Sequence, residues 1–134
     1  MKISIISAKQ FTTKLKATIQ STGKLGFTGE TAKHLNLQAG KHAKFAKDDE
    51  TGTLYFILVD KPNEDAFPIK ETSGYFNVAT TRMFDMLGFN YKSKTIMFDL
   101  IRQISLDAEL NGEVYMMKQR NGKLKEKNNE DEIV

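Results

Sequence analysis

The chain has 134 residues, 40% of them hydrophobic and 28% charged, with a net charge of +3 and no cysteine. That length supports one domain with a packed core, and the missing cysteines exclude a disulfide framework and any thiolate metal site. No stretch approaches the ~20 apolar residues of a membrane span, and Lys9 interrupts an apolar run already too short for a signal peptide, so a cytoplasmic protein without membrane partners is the expectation.

In chain order, residues 1–7 (MKISIIS) predict a short strand. KLKATIQ (14–20) alternates, with Leu15, Ala17 and Ile19 on one side and Lys14, Lys16, Thr18 and Gln20 on the other. Ser21-Thr22-Gly23 reads as a turn and KLGFT (24–28) as the returning strand of a hairpin. Thr28 is placed to cap a short helix over GETAKHLNL, with Ala32, Leu35 and Leu37 on its buried edge. KHAKFAK (41–47), with Ala43 and Phe45 inward, the polar turn Asp48–Gly52 and the apolar TLYFILVD form a second hairpin.

Lys61-Pro62-Asn63-Glu64-Asp65 breaks the pattern as a linker or long loop. The order then repeats. Phe67–Lys70 and YFNV (75–78) are strands around a turn at Glu71–Gly74. Thr80-Thr81 is placed to cap the helix TRMFDMLGF, and TIMFDLI and LNGEVYMM supply two more strands. Laid over each other, Gly23 matches Gly74, Leu25 matches Phe76 and Phe27 matches Val78. This predicts an internal duplication; the alternative is two unrelated pieces of one α+β domain. The organisation expected is a first repeat over 1–60, a degenerate second repeat over 66–118 packed on the first, and a polar tail over 119–134, disordered from about Gly122. The acidic end of that tail, EDEIV, resembles the tips with which bacterial single-stranded-DNA-binding proteins recruit partners; a solubilising tail is the plain alternative.

Gly23, Gly26 and Gly29 raise the question of a phosphate cradle. Their G-x-x-G-x-x-G spacing is not the dinucleotide fingerprint, and Gly23-Lys24 lacks both the earlier glycine and the Ser or Thr of a P-loop. Gly23-Lys24-Leu25-Gly26 fits the G-x-x-G clamp of KH domains, but it follows an alternating strand and not a helix. Gly23 is best read as the positive-φ residue of a hairpin turn, and Gly26 as a point of close backbone approach.

The segment ATIQSTGKLGFTGETAKHLNLQAGKHAKFAKDDETGTLYFILV resembles the AbrB/SpoVT/MazE swapped-hairpin family. It has a strand, a turn ending in Gly23, the alternating Leu25–Phe27, the helix ending Leu35-x-Leu37, Gly40, and a hairpin over Lys41–Val59. It departs from the family at Phe27-Thr28, where Ile-Pro is usual, and in offering lysine where the family's DNA contacts are often arginine. The resemblance implies interleaved hairpins that bind duplex DNA as regulators or antitoxins, here with two copies in one chain forming the pair internally.

The charge is unevenly spread. Residues 1–47 carry nine lysines against one acid, Glu30, whereas 48–108 and 109–134 are net acidic. A basic first third suggests an anionic partner; a solvated lysine-rich surface is the bland alternative. His34 and His42 lack carboxylates at ligand spacing, and the acidic pairs sit in turns. No catalytic residues, metal site, cofactor or enzymatic activity is expected. Tyr75 and Tyr115 are the aromatics expected at the surface, where they could stack bases. The fold expected is α+β and β-rich, with two swapped-hairpin-like β-β-α-β repeats. The function expected is non-enzymatic nucleic-acid binding, of duplex DNA, through Lys14, Lys16, Lys24, Lys41 and Lys44, with a homo-oligomer as a further expectation. A protein-interaction module pairing through strand edges, or a single-stranded-DNA-binding protein with an acidic tail, are the alternatives.

Overall fold

A computed structural model describes residues 1–8, 12 and 14–120. Eight strands form a closed antiparallel barrel: β1 (Leu15–Ile19), β2 (Leu25–Phe27), β3 (His42–Lys47), β4 (Leu54–Val59), β5 (Phe67–Thr72), β6 (Tyr75–Val78), β7 (Ile96–Arg102) and β8 (Glu113–Gln119). Around the barrel the order is β1-β2-β6-β5-β3-β4-β8-β7, and β7 closes on β1 with Leu15 opposite Leu100 and Ile19 opposite Ile96. Helix α1 (Gly29–His34) follows β2, α2 (Thr81–Met86) follows β6, and α3 (Asp107–Leu110) precedes β8.

The alternation seen in the sequence fills the barrel. Leu15, Ala17 and Ile19 of β1, Ala43 of β3, Phe56 of β4, Phe98 of β7 and Met117 of β8 all belong to one buried cluster. Aromatic rings dominate it. Phe84 of α2 packs edge-on against Phe89 with ring centres 5.4 Å apart, and Phe27 meets Phe56 at 5.5 Å. Such pairs add about 0.5–1.5 kcal/mol each beyond the area they bury.

The expected α+β class and its two swapped-hairpin-like β-β-α-β repeats are overturned by this topology. The protein is a single barrel, mostly β, with helices of four to six residues. Local alternation marks each strand but not its neighbours. Here β2 pairs with β6 and β3 with β5, so strands from both halves of the chain share one ring. What the matched pattern does correspond to is a symmetry of connection. Exchanging each strand for the one four later leaves the ring order unchanged, and Gly26 lies opposite Asn77, its match in the repeat.

Several local expectations also change. Residues 1–7 form no strand, and Ile3, Ile5 and Ile6 are exposed. The last strand starts at Glu113 and runs into the expected tail, where Gln119 pairs with Phe98 and the Arg120 guanidinium grips Asp99 at 2.9 Å. The rest of that tail, 121–134, lies outside the described residues.

Thr28 caps α1 as expected, accepting the Thr31 N–H at 3.2 Å. Thr80 does not cap α2 with its side chain. Its hydroxyl is fully buried and reaches across to the β1–β2 turn, where it accepts the Leu25 N–H at 3.0 Å and donates to the Gly23 carbonyl at 3.0 Å. Thr81 adds a hydrogen bond to the Thr22 carbonyl at 2.8 Å. On α1 the matching element is Thr31, also fully buried, whose hydroxyl accepts the Lys16 N–H at 2.8 Å.

Two outcomes follow for stability. Thr80→Val keeps the shape but leaves a buried donor and acceptor unpaired, a loss of about 1–3 kcal/mol readable by urea denaturation. Gly23 has φ +89, and a Cβ there would sit 2.8 Å from Thr81 and 2.9 Å from the Tyr91 hydroxyl. Gly23→Ala therefore destabilises by about 1–3 kcal/mol, whereas Gly74→Ala, with open space around it, costs only the strain of its φ of +83.

Candidate nucleic-acid interface

On β1, β2, β6 and β5 the inward residues enter the core, so the alternate residues form one outer surface. On β1 these are Lys16 and Thr18, continued by Gln20 in the turn; on β2, Gly26, preceded by Lys24; on β6, Tyr75 and Asn77; on β5, Pro68, Lys70 and Thr72. Registers of Thr18 to Gly26, Gly26 to Asn77 and Asn77 to Lys70 lay this row straight across four strands. None of these residues is acidic. Gly26 is buried, and the Gln20 side chain lies directly over it.

Lys14, Lys16 and Lys24 thus fall on or beside one face, and Lys70, not singled out in the sequence, joins them. Lys14, Lys16, Lys24 and Lys70 make no side-chain hydrogen bond or ion pair among the described residues. Lys41 and Lys44 are placed differently. Lys41 donates to Asp60 at 2.6 Å, which holds that carboxyl below its ordinary value, and Lys44 donates to the Leu110 carbonyl at 2.8 Å. Both belong to β3 or its approach, which borders the four-strand face next to β5. Two acids border the face: Glu71, exposed on β5 between Lys70 and Thr72, and Asp99, opposite Lys16 on β7, where Arg120 pairs with it.

Of the two tyrosines expected outside, Tyr75 is 69% exposed and Tyr115 only 4%. Tyr115 points into the barrel end and donates to Glu113 at 2.8 Å. Burial first, then that hydrogen bond, pushes its phenol above the usual range. Arg102 lies over its ring, 5.5 Å from the centre, and forks onto Asp107 at 2.6 and 2.7 Å. Asp107 also accepts the Val114 N–H at 3.1 Å. Every polar group here is spoken for, so the cluster fastens α3 against the start of β8. Among the described residues no group of three or more potential ligands could hold a metal, and no helix is long and apolar enough to cross a membrane.

No family model, curated protein or solved structure matches the chain, so nothing in these comparisons identifies the swapped-hairpin family that the sequence resembles.

The Arg102 fork holds the Asp107 carboxyl below its ordinary value of 3.8. A carboxyl lowered on folding contributes stability above its unfolded pKa and loses it as pH falls through the folded value. Asp107→Asn should therefore lower the melting temperature at neutral pH, and its difference from the unmodified chain should shrink below about pH 4. Thermal melts across that range measure both.

Proposed function

We propose that this protein is a non-enzymatic nucleic-acid-binding protein that uses the outer face of β1, β2, β6 and β5. The observation that carries the reading is the row of outward positions across those strands, with Lys16, Lys24 and Lys70 on it, Lys14 beside it and no carboxylate within it. Lysine is a flexible point charge, suited to phosphate and indifferent to base identity. Gln20, Thr18 and Asn77 between the lysines add neutral donors that reach phosphate or sugar oxygens. The assembly alternative is disfavoured by ring closure, because each strand already has a neighbour on both sides.

Titration with fluorescent oligonucleotides at low and moderate salt tests this. Affinity should fall steeply with salt, and replacing Lys14, Lys16 and Lys24 together by Glu should abolish binding. A milder change to Gln should flatten the salt dependence by about one unit of slope for each phosphate no longer neutralised. Unchanged binding in the triple Glu variant would remove this face from consideration. Lys41→Gln and Lys44→Gln should leave binding within about twofold, since both lysines face internal partners.

A further inference from the structure

We infer that the bound strand is single-stranded and that one of its bases leaves the stack to enter a cleft beside Tyr75; the inference rests on the nucleic-acid reading above. The cleft has a volume of about 400 Å³ and lies between the β5–β6 turn and α1. Phe27, Phe76 and Tyr75 give it aromatic walls, and Lys33, Asn36 and Gln38 give it polar groups, with no carboxylate. This is the chemistry of a site for a planar, polar-edged ring next to a phosphate. Aromatic faces stack any base, amides pair with base edges, and an ammonium meets the backbone.

The near-symmetry of the barrel makes the difference between its two matched turns plain. At Gly23 the space is filled: Thr81 and the Tyr91 hydroxyl stand within 2.9 Å of where a Cβ would be, and the Thr80 and Thr81 hydroxyls tie the turn to α2. At Gly74, with nearly the same φ, nothing lies within 4 Å. The β5–β6 turn is the tighter of the two, with Ser73 and Gly74 alone between paired Thr72 and Tyr75, and it stands free of α1. Tyr75 belongs to both surfaces. It is an outward residue of β6, continuous with the lysine face, and a wall of the cleft. A strand crossing Lys24 and Asn77 reaches a cleft whose own lining holds no carboxylate, with Glu71 and Glu30 at its rim. A duplex keeps its bases stacked inside and offers nothing to this cleft.

The test uses the full chain with a fluorescein-labelled oligothymidylate of about 15 nucleotides and a hairpin duplex of matching charge. Tyr75→Ala should weaken single-strand binding by about 5- to 100-fold and duplex binding far less, while Tyr75→Phe retains single-strand affinity. The chain has no tryptophan, so in Tyr75→Trp the single indole should be quenched by the oligothymidylate and not by the duplex. Single-strand binding that is unaffected in Tyr75→Ala, or an equal loss on both probes, would overturn base docking. If the triple lysine-to-Glu variant still lost binding in that case, the phosphate-binding face would stand without the cleft. No salt-sensitive binding of either probe by the unmodified chain would overturn both readings.

Discussion

Closure of the ring is the constraint on which the rest depends. The pairing of β1 with β7 along Leu15 to Ile19 joins the first strand to the seventh, and no local signal in either segment calls for that partner. Once it is made, every strand lies between two others, although β3 meets β5 and β2 meets β6 over only two residue pairs each. Inward side chains then have only one place to go. Short strands of three to seven residues hold because each borrows its neighbours' register, and an isolated hairpin of that length would be marginal in water.

The two barrel ends are managed by helices too short to be stable alone. α1 and α2 persist because each places residues in the core, Ala32 and Phe84 among them, and because one buried threonine ties each to the sheet. These two threonines do different things with the same chemistry. Thr31 catches the β1 backbone at Lys16, while Thr80 and its neighbour Thr81 catch the β1–β2 turn and pull it onto α2. That difference leaves one turn closed and the other open. The cleft thus lies where a near-symmetric scaffold omits a tie.

The arrangement also separates charge by role. Lys41, Arg102 and Arg120 are committed to Asp60, Asp107 and Asp99. Lys16, Lys24 and Lys70 make no ion pair among the described residues, although Asp99 lies opposite Lys16 and Glu71 follows Lys70. Lysines count equally in a charge tally, yet only an uncommitted one can attract a polyanion at short range.

Much of this was legible from residue order. The alternation of Leu15, Ala17 and Ile19, the inward Ala43 and Phe45, the strand Tyr75–Val78 and the turn at Gly23 follow from the period of an extended chain and from the steric freedom of glycine, both properties of adjacent residues. The matched order of the two halves was also visible, but not that the matched strands β2 and β6 lie side by side. What only the tertiary structure decided was partnership: that β2 pairs with β6, that the ring closes, that Thr80 turns away from its own helix, that Tyr115 is inside and Tyr75 outside, and that Lys41 and Lys44 are occupied while Lys70 has no side-chain partner among the described residues. Those outcomes depend on residues tens of positions apart meeting in three dimensions. A periodic pattern records which side a residue faces, but not what waits there.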